Sequence, residues 1–245
     1  MPKVFPVVHV NTRPQAVEQA GIAFEAGADG VYLIDHYGRR GPEYLSDTFE
    51  DVQKANPGRF VGVNFLGLAG PDYTLDFLKG EREKGYISRY PDAIWFDNSF
   101  VGVGKGMLVA LEATKQMRQE DRDLRRIQLL GGVSFKYTQT YTEDPTIARM
   151  VTRVAAPYLD VVTTSGPGTG MAPTPGKIHA MKAAANEAGK QLAVASGVDA
   201  ANLASYGGSI DQVLVASSVE TKPYSGIFDQ SKLEELIQVA HGLDV

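Results

Sequence analysis

The sequence predicts a single (β/α)8 TIM barrel, and three observations carry that expectation. Short apolar runs alternate with longer amphipathic stretches, eight of each. The apolar runs are rich in Val, Ile and Leu with little polar alternation, as in parallel strands covered on both faces. The length of 245 residues matches the roughly 250 of an eight-fold barrel. No linker or shift in composition divides the chain, so residues 1–245 are expected to form one domain. An open doubly wound sheet is the competing arrangement.

The elements follow in order. Residues 4–10 read as the first strand. Thr12-Arg13-Pro14 then supplies an N-cap hydroxyl and a proline whose missing N–H is harmless in a first turn, opening a helix over 14–26. Gly27 follows that helix, where a left-handed C-cap residue is needed. Strands at 30–35, 60–65, 93–97 and 127–133 are separated by helices at 42–55, 73–84 and 105–122. Glu143-Asp144-Pro145 opens a helix over 145–156, and Pro173-Thr174-Pro175 opens one over 174–188 that stops before Gly189. Strands at 159–163, 191–195 and 212–216, a short helix at 200–206 and a last helix at 233–241 complete the alternation.

Composition narrows the function. Lys and Arg number 24 against 29 Asp and Glu, a net charge of −5 with pI near 5.4 and no basic run. This argues against nucleic acid or an anionic membrane as the main partner. The absence of cysteine excludes disulfides, thiolate nucleophiles, Cys-bound zinc and Cys-ligated iron–sulfur clusters. No stretch nears the roughly 18 apolar residues of a membrane span. The start, Met1-Pro2-Lys3 followed by 4–10, is too short and Pro-interrupted for a signal peptide, so a cytoplasmic protein is expected. A homodimer is compatible with the fold class, although no apolar patch announces one.

In a β/α barrel the reacting groups sit where strands run out into βα loops. Those positions hold Asn11, Asp35 with His36, Asn64, Asp97 with Asn98, Ser134 with Lys136, Thr163 to Gly170, Ser196-Gly197 and Ser217-Ser218. Together they are expected to converge on one mouth. Ser196, Gly197, Ser217 and Ser218 are candidate phosphate ligands, because a dianion needs closely approaching N–H donors and hydroxyls. The Ser196-Gly197-Val198-Asp199 run precedes the short helix, and Val194-Ala195-Ser196-Gly197-Val198 is echoed by Val215-Ala216-Ser217-Ser218-Val219. Thr164, Ser165, Gly166, Gly168, Thr169 and Gly170 belong to a loop with little bulk and many donors, suited to wrapping a ligand. Gly102-Val103-Gly104-Lys105-Gly106 is not a Walker loop, and Gly166 to Gly170 is not a Rossmann fingerprint.

Asp97, Asp35 and Lys136 are the acid–base candidates. A partly desolvated carboxylate near a lysine suits proton transfer, and the lysine suits an oxyanion, a phosphate or a Schiff base. Asn11, Asn64 and Asn98 are expected to orient substrate hydroxyls. His36 beside Asp35 is a weak metal pair, since adjacent strand side chains point opposite ways. No resident metal or cofactor is expected, with Mg²⁺ conceivable only between a carboxylate and a substrate phosphate.

These strand ends resemble the BtpA/SgcQ family within the ribulose-phosphate-binding barrel group. Glu25-Ala26-Gly27-Ala28-Asp29-Gly30-Val31 is similar to that family's glycine-rich entry into strand two. Asp35-His36-Tyr37-Gly38 stands where it has Glu-Asn-aromatic-Gly, and Gly62-Val63-Asn64 resembles its Gly-Val-Asn. Asp97-Asn98, Phe135-Lys136-Tyr137, Thr164-Ser165-Gly166 with Thr169-Gly170, and Ser196-Gly197-Val198 continue the likeness in order. The chain departs from the family at Asp35-His36, at Tyr137 and at Gly70-Pro71. Ser217-Ser218-Val219-Glu220 with Gly226-Ile227-Phe228-Asp229 also resembles phosphoribosylanthranilate isomerase, where the matching run helps cradle a phosphate. That enzyme's cysteine base is absent here and Thr163-Thr164 replace its aspartate, so its specific activity is not expected.

The expectation is a metabolic enzyme acting on a phosphorylated sugar or ribonucleotide-like small molecule by acid–base chemistry, of isomerase or lyase type. A Schiff-base aldolase using Lys136, and a non-catalytic assembly or stability factor of the photosystem I type implied by the BtpA resemblance, are the alternatives.

Overall fold

The computed structural model describes residues 1–245 apart from 37, 39, 67, 69, 101–108 and 243–245. Eight parallel strands close into a barrel in sequence order. They are β1 (Lys3–His9), β2 (Val31–Ile34), β3 (Val61–Asn64), β4 (Ala93–Phe96), β5 (Gln128–Gly132), β6 (Val161–Thr164), β7 (Gln191–Ala195) and β8 (Gln212–Val215). Closure comes from β8 lying beside β1 in the register Lys3↔Gln212 to Pro6↔Val215. The open-sheet alternative is thereby excluded.

Among the described residues seven α-helices coat the barrel: α1 (Arg13–Glu25), α2 (Gly41–Ala55), α3 (Pro71–Glu83), α4 (Val109–Glu120), α5 (Pro145–Ala155), α6 (Pro175–Glu187) and α7 (Gln230–Gly242). The expected caps form. Thr12 accepts from Gln15 N–H in a capping box, Asp144 accepts from Thr146 and Ile147, and Thr174 accepts from Lys177. The expected helix at 200–206 is instead a 3₁₀ segment, Leu203–Ser209, broken at Gly207 where φ is 51° and ψ is −155°. The Gly207-Gly208 pair cannot sustain helical backbone cheaply. The Gly102–Gly106 loop and the first turn of the expected 105–122 helix lie outside the described residues.

Two apolar layers hold the fold. The barrel interior is filled by Phe5, Val7, Tyr32, Ile34, Trp95, Leu130 and Leu214, while a larger layer packs between sheet and helices. At the N-terminal end of the barrel, an aspartate just before each even-numbered strand accepts a backbone N–H from the odd-numbered strand preceding it. Asp29 takes Val4, Asp92 takes Val61, Asp160 takes Leu129 and Asp211 takes Leu192, at 2.7–2.9 Å. Each carboxylate also meets a basic side chain: His241, Arg89, Arg118 and Lys182 respectively. This fourfold device ties neighbouring strands at the end away from the mouth.

Candidate active site

The inward register of the strands decides what reaches the mouth. Strand side chains alternate faces, so the interior residues Phe5 and Val7 are followed by His9, and Tyr32 and Ile34 by His36. Ala93 and Trp95 lead likewise to Asp97, Ala193 and Ala195 to Gly197, and Leu214 to Ala216 and Ser218. These residues, with Lys136, Thr169, Ser196 and Ser217, line a cavity of about 390 Å³ at the C-terminal end of the barrel. Its floor is apolar, built by Val7, Trp95, Phe135 and Leu214.

Asp97 and Lys136 both line this cavity. Burial pushes the Asp97 carboxyl above its ordinary range, against the opposing effects of a 3.0 Å hydrogen bond from Asn64 Nδ2 and the Lys136 charge. Burial likewise pushes the half-buried Lys136 ammonium down, with Asp97 opposing. Lys136 Nζ donates to Thr169 Oγ1 at 3.3 Å, and its backbone N–H donates to Ser165 Oγ at 2.8 Å. Asn64 is buried and reaches the site through Asp97 rather than by lining the cavity.

The β7 and β8 ends form a cup. The N–H groups of Gly197, Val198, Ser217 and Ser218 donate to no protein acceptor among the described residues, and all four residues line the cavity. Ser196 and Gly197 both take positive φ, 108° and 72°. A Cβ on Gly197 would overlap the backbone of Met171 and Ala172, so glycine is what lets the loop after β6 lie against the cup. Ser196 Oγ fastens that loop by accepting from Gly170 N–H at 3.0 Å. The donors belong to loop backbone, not to a helix N-terminus, because regular structure after β7 begins only at Leu203. Asp199 also lines the cavity, with Oδ1 accepting from Ala201 and Asn202 N–H.

Other predicted positions fall beside or beneath the cavity. Thr164 and Ser165 are fully buried, their hydroxyls donating to the carbonyls of Ser134 and Gly166. Gly166 packs against Met171 and Ala172, while Thr169 and Gly170 reach the wall and Gly168 accepts weakly from Ser196. Asp35 faces a separate small cavity with Asn64 and Leu66, and accepts from Arg40 N–H at 3.2 Å. Asn11 donates to Ser225 O at 2.8 Å, and Asn98 accepts from Phe100 N–H at 3.0 Å. Neither lines the main cavity. Beneath the mouth, the buried Lys177 donates to the carbonyls of Ser134 (2.9 Å) and Ser165 (2.7 Å) and pairs with Glu143 at 3.3 Å. It thereby ties the loops after β5 and β6 together.

His9, and its pairing with Glu220, had no counterpart among the sequence-predicted site residues. His9 Nδ1 lies 2.8 Å from Glu220 Oε1, and the Glu220 side chain is completely buried. The rings of His9, His36 and Tyr224 cluster on this wall, with centroids 5.2–5.8 Å apart. Partial desolvation, with the like charges of His9 and Lys136, holds the His36 imidazole below its ordinary value. Ser134, Tyr137, Ser196 and Tyr224 are the non-glycine residues with positive φ among those described, and all lie in mouth loops. No group of three or more His, Asp or Glu among the described residues is placed to hold a metal ion. No described helix is long and apolar enough to cross a membrane.

No protein-family model matches the chain, and no curated protein matches it. Solved structures of similar fold are numerous. A phosphoribosylanthranilate isomerase from Thermotoga maritima is 18% identical with a TM-score of 0.63, over 99% of this chain and 100% of that one. A 3-keto-L-gulonate-6-phosphate decarboxylase from Vibrio cholerae is 12% identical at 0.63, over 100% and 99%. An (S)-3-O-geranylgeranylglyceryl phosphate synthase from Thermoplasma acidophilum, solved with sn-glycerol-1-phosphate, is 14% identical at 0.62, over 98% and 92%. At these identities the likeness establishes the fold, a (β/α)8 barrel spanning the whole length of proteins of this size.

Proposed function

We propose that this chain is a metabolic enzyme acting on a small phosphorylated molecule, a sugar phosphate or ribonucleotide-like compound, by acid–base chemistry of isomerase or lyase type. One observation carries the reading: a desolvated carboxyl (Asp97), a half-buried ammonium (Lys136) and four unspent backbone N–H groups share one cavity. The donors of Gly197, Val198, Ser217 and Ser218, with the Ser217 and Ser218 hydroxyls, bind the phosphate. Backbone N–H groups that are already fixed stabilise an anion without reorganising, an effect worth several kcal/mol in a water-poor site. Asp97 moves protons, Asn64 holds it, and Lys136 balances negative charge as it develops. The loop through Thr169 and Gly170 covers the ligand. Barrels of similar fold whose names or bound ligands carry phosphate support the same class of substrate.

The test is thermal unfolding in inorganic phosphate, ribose 5-phosphate and nucleotides. Binding at a hundred times Kd adds about 2.7 kcal/mol, visible as a rise in melting temperature. The rise is expected to survive Lys136→Ala and to disappear in Ser218→Asp, which places a negative charge in the cup. A flat response across the set would remove the phosphate reading and favour a non-catalytic role. A second reading rests on the depressed Lys136 ammonium, which favours the amine that a Schiff base requires. It predicts a borohydride-trapped adduct of a sugar phosphate on the Lys136 peptide, absent from Lys136→Ala.

A further inference from the structure

His9 closes β1 at the rim of the barrel interior and is 8% exposed. Its Nδ1 is bound to Glu220, whose Oε1 also accepts from Gly226 N–H at 3.2 Å while Oε2 has no partner. Glu220 is held from behind by its antiparallel bridge to Phe228 and by Lys232 Nζ, which donates to its carbonyl at 3.1 Å. A carboxylate only accepts, so Nδ1 carries a ring proton, and Nε2 is the ring nitrogen left outside the pair. Nε2 has no protein partner among the described residues, and His9 lines the cavity. A histidine that served only to join β1 to the last loop would not leave its second ring nitrogen unspent beside a ligand-sized space.

The ring order of the strands supplies the rest of the geometry. β1 stands opposite β5, so His9 faces the Lys136 side of the mouth, with Asp97 beside Lys136 and the cup of β7 and β8 next to β1. A molecule anchored by its phosphate in the cup has His9 on the neighbouring strand and Lys136 and Asp97 across the mouth.

We propose that His9 is a catalytic base in this site, positioned by Glu220, and that the substrate is a phosphorylated α-hydroxy aldehyde or ketone, an aldose or ketose phosphate. The proposal rests on the phosphate reading and names its substrate class. His9 Nε2 takes the proton from the carbon bearing the hydroxyl. The C–H pair forms a C=C bond as the carbonyl pair moves onto oxygen, giving an enediolate beside the Lys136 ammonium. Asp97 carries the hydroxyl proton from one oxygen to the other, and the His9 imidazolium returns its proton to the adjacent carbon. Atoms and electrons balance within the substrate, and no oxidant is needed. The groups facing His9 are Glu220, His36 and Tyr224.

The experiment has two arms. Ribose 5-phosphate and ribulose 5-phosphate are incubated with the protein in D₂O, and loss of the carbon-bound proton next to the carbonyl is followed by NMR. Long-range ¹H–¹⁵N spectra of the histidine rings report the tautomer. Wild-type protein is expected to exchange the proton, with His9 as the Nδ1–H tautomer. His9→Gln should lose at least about a hundredfold in exchange. Glu220→Gln should lose about tenfold or more and convert His9 to a mixture of tautomers, a change that a purely structural pair would not couple to exchange. In both variants inorganic phosphate should still shift the Gly197 and Ser218 amides. Exchange at the wild-type rate in His9→Gln overturns the proposal, as does a proton on Nε2. Absence of exchange in wild-type protein whose cup binds phosphate overturns it while leaving the phosphate reading standing. A cup that ignores phosphate overturns both.

Discussion

Asn64 and Asp97 are joined across the tops of β3 and β4, the Asn64 amide donating to Asp97 Oδ1 at 3.0 Å. The bond favours the charged carboxylate against the burial that disfavours it. Asn64→Ala is therefore expected to move the Asp97 titration further upward, as is Lys136→Met, which removes the other opposing effect. Carboxyl ¹³C NMR checks both. A downward or null movement would show that Asp97 answers to other groups.

Lys177 links stability to pH. Burial outweighs the Glu143 pairing and depresses its ammonium from 10.5 to about 8. Between those values the unfolded chain keeps a proton that the folded chain has released, so stability rises with pH. The full shift corresponds to about 3 kcal/mol. Below pH 8 the wild type bears this cost in full. Denaturant unfolding from pH 7 to 10 should show the rise in wild-type protein and not in Lys177→Met.

Gly132 gives Asp97 its place. A Cβ on this β5 residue would overlap the Asp97 carbonyl on the neighbouring strand end. Gly132→Ala should cost about 1–3 kcal/mol by overpacking and shift the Asp97 backbone, seen as a lower unfolding midpoint with amide shifts centred on residue 97.

The N-terminal end of the barrel should answer differently. Asp160 accepts from Leu129 N–H and pairs with Arg118 at 2.8 Å. Asp160→Ala leaves a strand N–H without its acceptor and is expected to cost about 1–3 kcal/mol. Phosphate binding by the folded protein should be unchanged, as calorimetry would report, because that end of a barrel carries stability rather than chemistry.

Much of this was legible in the sequence. Apolar runs located all eight strands, because parallel strands are covered on both faces. Cap residues such as Thr12, Asp144 and Thr174 located helix starts because their side chains replace missing backbone partners. The aspartates at 29, 92, 160 and 211 each stand just before a strand, but their hold on the preceding strand's N–H shows only in the closed barrel. At the mouth, choosing the first polar residue after an apolar run selects Asn11, whose side chain turns away to Ser225. The period of two from Phe5 through Val7 selects His9 instead, and the same period separates His36 from Asp35. Glu220 stands in the run that resembles phosphoribosylanthranilate isomerase, but nothing local pairs it with His9. Its partner lies 211 residues away, and only barrel closure brings β1 beside the loop after β8. Thr164 and Ser165 looked like ligand groups, yet local backbone carbonyls take both hydroxyls.

The proposed function requires the mouth to hold a phosphate at the ends of β7 and β8. An amide ¹H–¹⁵N titration of the intact protein with inorganic phosphate and with ribose 5-phosphate tests it most directly. Saturable shifts concentrated at Gly197, Val198, Ser217 and Ser218, the sugar phosphate adding shifts at Lys136 and Thr169, are the expected result. Amides at those four positions that stay still while either ligand reaches millimolar concentration would contradict it.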